Sequence, residues 1–399
     1  MKTFAVWLWL GVLLFALSEA EYREAEAEKF HTDIAGYTSA IRTDPNNPKL
    51  YFERANVYAG AGDNAKAIAD FTTAIILDPA YAKAYFNRAN SYRNLGDDLE
   101  AIVNYSEAIK IDPNYAAAYF NRANSYAMLA EYQKALDDFT AAIKFDPRNT
   151  KAYINRGNIY AETDEHKKAR DDYSAAINID PNLAQAYNNR GYSYAESGDN
   201  AKAIADYGEA IRLDPYLVKA YNNRGSSYTD MREYAKAISD FSAAIAIEPG
   251  YINAYINRGY SYYELGDYQN AADDLTAAIN LDKNSAELYD LRAQAYAGLG
   301  KNKSAAEDLT KAIRINPNFA RAYFNRANVY ADQNRYENAI YDYTEAIRIN
   351  PNYTDAYARR GYLMFKRGDY NRAVKDAYTA CALGDCELNT LIKRSNRSK

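Results

Sequence analysis

Arginine recurs at intervals of 34 residues, ten times, from Arg54 to Arg360. Sixteen residues after each stands an acid: Asp70, Asp138, Asp172, Asp206, Asp240, Asp274, Asp308, Asp342 and Asp376, with Asn104 the one departure. A guanidinium can lay its apolar stem on a packed surface while its fork meets a carboxylate. Arginines alone would suggest a stripe for phosphates, but the matched acids argue against it. The pattern predicts Arg–Asp pairs that tie two elements together, inside one unit or across to its neighbour. Cys381 and Cys386, in CALGDC, are the only cysteines and form a candidate disulfide if the chain is exported. The alternative is two free thiols. His31 and His166 stand isolated, without Cys or acids at ligand spacing, so no metal site is expected and both are read as solvated surface. There is no nucleophile motif and no Gly-rich phosphate loop, and only twelve residues follow Glu387. The reading is therefore of a non-enzyme without a cofactor. Net charge is −5 with both signs interspersed, which leaves no footprint for nucleic acid.

The elements that must carry these residues follow from the same period. An acid–Pro dipeptide marks each unit, at Asp78-Pro79, Asp112-Pro113, Asp146-Pro147, Asp180-Pro181, Asp214-Pro215 and Glu248-Pro249. It continues through Asp282-Lys283, where Pro is lost, to Asn316-Pro317 and Asn350-Pro351. Ten units run from Pro48 to Glu387 without insertion or deletion. The fourth position is always Tyr (Tyr51 to Tyr357), the eighth is Ala or Gly, and the eleventh is Tyr except at Met364. Offsets of three and four place one apolar stripe on a helix. Ala at positions twenty and twenty-seven, with an aromatic usual at twenty-four, marks a second amphipathic helix. Gly-Asp pairs such as Gly198-Asp199 separate the two, and Pro stops the second. The fourth-position tyrosines are expected to be the inner packing rings.

A 34-residue helix-turn-helix unit of this composition resembles the tetratricopeptide repeat family, over roughly 85% of the chain. The resemblance implies an all-α fold, a right-handed α-solenoid superhelix of antiparallel helix hairpins, because one hairpin cannot bury its own apolar face. It also implies that the first helices line a concave groove, with positions two, five, six, nine, twelve and thirteen facing it. The sixth position then gives Asn87, Asn121, Asn155, Asn189, Asn223, Asn257 and Asn325, interrupted by Glu53, Leu291 and Arg359. This looks like the asparagine ladder by which some members hold an extended peptide backbone, since a carboxamide both donates and accepts. Phe52, Phe86 and Phe120 at the fifth position and Asn56, Asn90 and Asn124 at the ninth would add an apolar-polar stretch. Glu162, Glu196, Asp230 and Glu264 at the thirteenth would make the middle acidic, and Lys49, Lys83, Lys151 and Lys219 occupy the second. The eighth unit, Ala286 to Phe319, departs most, with Asp290 and Leu291, and is expected to change the curvature or interrupt the binding surface.

The ends complete the layout. Residues 1–20 read as a secretory signal: a single Lys2, then an apolar run from Phe4 to Leu17 shorter than a spanning helix, with cleavage after Ser18 or Ala20. The alternative is an uncleaved membrane tether. Residues 21–47 read as an incomplete repeat capping the array, 48–387 as the ten units, and 388–399 as a basic tail or cap. The expected product is an exported bacterial scaffold, periplasmic or secreted, that binds protein partners in its groove. The alternative is a structural component of the cell envelope that self-associates into homo-oligomers through its solenoid.

Overall fold

The computed structural model describes residues 28–397, and the reading of residues 1–20 as a signal lies outside them. Every regular element among the described residues is an α-helix. The chain forms two compact units that meet in sequence at Ser197 and Gly198. The first unit holds α1 (28–43), α2 (Pro48–Gly60), α3 (Asn64–Leu77), α4 (Ala82–Asn94), α5 (Asp98–Ile111), α6 (Ala116–Met128), α7 (Tyr132–Phe145), α8 (Thr150–Glu162), α9 (His166–Ile179) and α10 (Ala184–Glu196). The second holds α11 (Asn200–Leu213), α12 (Val218–Asp230), α13 (Tyr234–Ile247), α14 (Ile252–Glu264), α15 (Tyr268–Leu281), α16 (Ala286–Gly298), α17 (Asn302–Ile315), α18 (Ala320–Asp332), α19 (Tyr336–Ile349), α20 (Thr354–Lys366), α21 (Tyr370–Ala382) and α22 (Glu387–Arg397). Within each unit a helix packs antiparallel on its predecessor and successor, so even-numbered first helices alternate with odd-numbered second helices.

The acid–Pro marker acts through its acid as well as its proline. Asp78, Asp112, Asp146, Asp180 and Asp214 each end a second helix and accept the backbone N–H two residues on, at 3.0–3.2 Å. Asp282 does the same to Asn284 at 2.9 Å, although Lys283 replaces the proline. The acid alone therefore sets the turn, and α16 begins in register. Between the helices of a hairpin the chain passes through the left-handed region, at glycine in Gly62, Gly96, Gly266, Gly300 and Gly368. Ala130, with φ 56°, takes the same conformation without that freedom.

The core is built around position twenty-four rather than position four. Phe71, Tyr105, Phe139, Tyr173, Tyr207, Phe241, Leu309 and Tyr343 are essentially fully buried, whereas the fourth-position tyrosines are all half-buried. The eighth position is small because that ring lies on it. A Cβ on Gly157 would meet Tyr173 at 2.8 Å, and one on Gly225 would meet Phe241 at 2.7 Å. Fourth-position rings instead flank the arginines, whose Cζ atoms lie 5.5–5.9 Å from the ring centroids of Tyr85, Tyr119, Tyr153, Tyr221, Tyr255 and Tyr289.

The Arg–Asp pairs form inside the repeats, not between neighbours. Arg54, Arg122, Arg156, Arg258, Arg292, Arg326 and Arg360 each donate Nε and Nη2 to the two oxygens of the aspartate sixteen residues on, at 2.6–2.9 Å. A third bond, from Nη1, was not foreseen. It reaches a hydroxyl sixteen residues back, on the preceding second helix: Thr38, Ser106, Thr140, Ser242, Thr276, Thr310 and Thr344. Its signal was legible as Ser or Thr at position twenty-five. Each guanidinium therefore clamps three helices. Hydrogen bonding to the carboxylate raises the pKa of Arg156, Arg224, Arg258 and Arg292 above its usual value. Arg88, which meets Asn104 at 2.7 Å and Thr72 at 2.9 Å, has its pKa lowered by burial instead.

Candidate functional site

Consecutive first helices touch within each unit, α2 to α4, α4 to α6, α6 to α8 and α8 to α10 in the first, and α12 to α14, α16 to α18 and α20 to α22 in the second. Their shared face carries the sixth-position asparagines, all half-buried. They are not free amides. In the first unit Asn87, Asn121, Asn155 and Asn189 donate Nδ2 to Oδ1 of Asn56, Asn90, Asn124 and Asn158 on the preceding first helix, at 2.8–2.9 Å. Partners that can only accept fix two of these amides: Asn56 Nδ2 faces Glu53 at 3.4 Å, and Asn124 Nδ2 donates to the Phe120 carbonyl at 2.9 Å. Each Nδ2 thus commits one N–H to the preceding first helix, and the carboxamide oxygens of Asn87, Asn121 and Asn155 accept no hydrogen bond among the described residues. Each is an acceptor of the kind a peptide N–H seeks.

The second unit solves the same problem differently. Asn257 donates to Asn222 at 3.1 Å, and Asn325 to Asp290 at 2.7 Å, both at position five of the preceding first helix. Asp290 is fully buried and also accepts from Arg321 at 2.8 Å and Gln294 at 3.1 Å. Burial raises its carboxyl above the usual range despite these donors. The departure of the eighth repeat is thus a carboxylate that fastens α16 to α18. Asn223, the remaining sixth-position residue, is half-buried on α12.

Three expectations need correcting. The fifth-position phenylalanines do not line an open surface. Phe52 is buried 5.7 Å from Phe71 and 4.8 Å from Tyr81, Phe86 lies 5.7 Å from Tyr105 and 4.9 Å from Tyr115, and Phe120 lies 5.8 Å from Phe139. Tyr81 and Tyr115, which end the first and second repeats, cover position five there, because apolar area prefers a neighbour to water. His166 is not solvated surface: its side chain is 13% exposed, its Nε2 lies 3.0 Å from Asp164, and its ring stands edge-on to Tyr192 at 6.4 Å. His31 does lie exposed on α1. Thirdly, the fourth-position tyrosines yield the innermost place to position twenty-four, as described above.

The thirteenth-position acids are exposed, and each is the last residue of its helix: Glu162 on α8, Glu196 on α10, Asp230 on α12, Glu264 on α14, joined by Asp332 on α18. Tyr132 donates to Glu162 at 2.7 Å and Tyr234 to Glu264 at 3.3 Å. The hydrogen bond to Glu162 raises the Tyr132 pKa above its ordinary value. Lys49, Lys83, Lys151 and Lys219 are exposed near the starts of α2, α4, α8 and α12. Both placements oppose the helix dipole, which favours acids at the N-terminus and bases at the C-terminus.

At α20 the asparagine row ends in Arg359, and a cavity of about 830 Å³ opens beside it, lined by Phe324, Tyr362, Leu363, Lys366 and Leu388 among others. Leu388 and Ile392 of α22 are buried against the cluster of Met364, Ala373 and Ala377. Cys381 and Cys386 are joined by a disulfide between α21 and α22, with Cα atoms 4.1 Å apart, and Gly384 between them has φ 110°. Among the described residues no group of three His, Cys, Asp or Glu side chains is placed to hold a metal ion, and no helix is long and apolar enough to cross a membrane.

Comparison with known proteins adds the family. Tetratricopeptide repeat models match residues 48–81, 320–353 and 342–375, and a TPR repeat model matches 89–129 and 293–334. An ETO1 C-terminal domain model matches residues 117–298. Among solved structures, YrrB, a TPR protein with an unusual peptide-binding site, is 26% identical over 46% of this chain and 95% of its own, with a TM-score of 0.42. A tetratricopeptide repeat protein from Parabacteroides merdae is 21% identical over 62% of this chain and 98% of its own (TM-score 0.48). Yeast Tom70 is 16% identical over 93% of both chains (TM-score 0.44). No curated protein matches the chain. The 34-residue hairpins, their stacked helices and the matching repeat models lead to one assignment: the chain is a tetratricopeptide repeat protein.

Proposed function

We propose that this protein is a non-enzymatic scaffold that holds extended segments of partner proteins on its first-helix face. The observation that carries this reading is the row of half-buried asparagines at Asn87, Asn121 and Asn155, each of which commits one N–H to the neighbouring helix while its oxygen accepts no hydrogen bond among the described residues. Helix–helix packing repeats such an acceptor about every 8–10 Å, close to three residues of extended chain at about 3.3 Å each. A neutral hydrogen bond nets only about 0.5–1.5 kcal/mol, so the row sets register while other contacts supply affinity.

Those contacts are electrostatic. An acid closing a helix costs up to about 1 kcal/mol against the dipole, so helix stability does not explain Glu162, Glu196, Asp230 and Glu264. They suit a partner whose segment carries Lys or Arg, and such binding weakens as salt rises. The protein is further proposed to be exported, with residues 1–20 as its leader. A disulfide at Cys381–Cys386 fits an oxidising compartment, and N-terminal sequencing of the mature chain tests the leader, which a start at Met1 would rule out.

The binding test selects a random twelve-residue peptide library, displayed on phage, against the full-length protein. Replacement of Asn87, Asn121 and Asn155 together by Ala should weaken the best selected peptide at least tenfold while the helical signal persists. Unchanged affinity in the triple variant would refute the reading.

A further inference from the structure

Repeats of the first unit alternate at position twenty-four, Phe71, Tyr105, Phe139, Tyr173, and the alternation reaches the surface. Tyr105 donates to Oδ1 of Asn90 at 2.6 Å, and Tyr173 to Oδ1 of Asn158 at 2.8 Å. The same two oxygens accept from Asn121 at 2.8 Å and Asn189 at 2.9 Å. Each ninth-position oxygen therefore takes two donors, one from below and one from the next repeat, and the amide is held with its nitrogen outward. Nδ2 of Asn90 and Asn158 makes no hydrogen bond among the described residues, and Asn158 is exposed. Where position twenty-four is Phe, no hydroxyl holds the amide. Nδ2 of Asn124 then folds back onto the Phe120 carbonyl, and that of Asn56 turns to Glu53.

We propose that Asn90 and Asn158 are a second set of backbone-reading residues, donating Nδ2–H to carbonyls of the bound peptide beside the acceptor row, and that Tyr105 and Tyr173 position them from the core. The inference rests on the scaffold reading above and specifies it. An extended chain offers N–H and C=O groups in alternation, so a face that sets outward donors beside its acceptors reads a backbone regardless of side chain. Acceptors recur over three successive repeats, at Asn87, Asn121 and Asn155, and the donors Asn90 and Asn158 stand two repeats apart, a spacing of about six extended residues. Burial raises the Tyr105 hydroxyl pKa to about 12 and moves that of Tyr173 in the same direction, so both keep the proton they donate. Neither tyrosine touches the ligand.

The test uses the best phage-selected twelve-residue peptide and the full-length protein. Tyr173→Phe should release the Asn158 amide into the folded-back state of Asn124 and weaken the peptide about three- to tenfold, the worth of one neutral hydrogen bond. Asn158→Asp keeps both acceptor bonds, removes the donor and should match that loss, with no further loss in the double variant. Phe139→Tyr should free Asn124 and tighten binding by a similar factor, a gain that a purely structural role for the ring would not produce. Unchanged affinity in Tyr173→Phe and Asn158→Asp, with binding lost on the Asn87, Asn121 and Asn155 replacement, overturns the second row and leaves the scaffold reading standing. Failure of that triple replacement to weaken binding overturns both.

Discussion

The two units fasten consecutive first helices with different chemistry. In the first, carboxamide meets carboxamide, from Asn87 to Asn56 through Asn189 to Asn158, and the half-buried Arg88 faces the neutral Asn104. In the second, Asn257 still meets the Asn222 amide but Asp290 replaces the amide beneath Asn325, and Arg258, Arg292, Arg326 and Arg360 all face carboxylates, as Arg54, Arg122 and Arg156 do in the first. Position nine decides the geometry. Where it is Asn, the next repeat's sixth-position amide bonds there; where it is Ser226 or Gln294, the amide turns to position five. An amide fastening is neutral, reversible and can keep spare hydrogen-bonding capacity for a ligand. A buried carboxylate fastens more strongly but is committed, because stripping its partners leaves a desolvated charge.

The largest effect should come from that commitment. Asp290→Ala removes the shared acceptor of Arg321, Asn325 and Gln294, and should cost about 2–3 kcal/mol, below the full value for a buried pair because Arg321 is half-exposed. Asn56→Ala, its neutral counterpart, should cost about 1 kcal/mol. Urea denaturation with hydrogen exchange on α16 and α18 measures both, and equal losses would break the distinction. Next, Asn104→Asp gives Arg88 the carboxylate it lacks and should raise stability by about 1 kcal/mol, the excess of a charged over a neutral hydrogen bond. A loss in thermal unfolding would show that the neutral pair is preferred at that site. Ser226→Asn should move the Asn257 amide from Asn222 to position nine for only a few tenths of a kcal/mol, within the range of a surface change. A crystal structure with Asn257 still on Asn222 would end the position-nine rule.

The smallest effect is a pH dependence. Burial raises the folded carboxyl of Asp290 above its ordinary value, so the folded state holds the proton where the unfolded state has lost it. Its contribution to stability is then full below the unfolded value and declines as pH rises through the folded one. The stability of wild type relative to Asp290→Asn should therefore shift toward wild type as pH is lowered from about 7 to about 4. A shift the other way would mean the three donors outweigh desolvation.

Much of this was legible in the sequence. The period, the hairpins, their stops and the pairing of each arginine with its aspartate followed from recurrence, because a repeat fixes the same local environment each time. The hydroxyl on the third arm of most of the arginines was present as Ser or Thr at position twenty-five but was not read, since it belongs to the preceding repeat. Site residues were less legible. Asn87 and Asn155 were rightly placed on the first helices, yet nothing local revealed that their nitrogens were already bonded. Phe52 read as a groove residue because the family resemblance assigns position five to the groove, and Tyr81 then covered it.

By itself, then, the sequence determined the units, the helix ends and which side chains share a face, since these depend on contacts within about one repeat. Tertiary structure alone decided which polar groups are spent and which are spare. A carboxamide has donors and acceptors on either side of one bond, and only the packed neighbour determines which end is left for a partner.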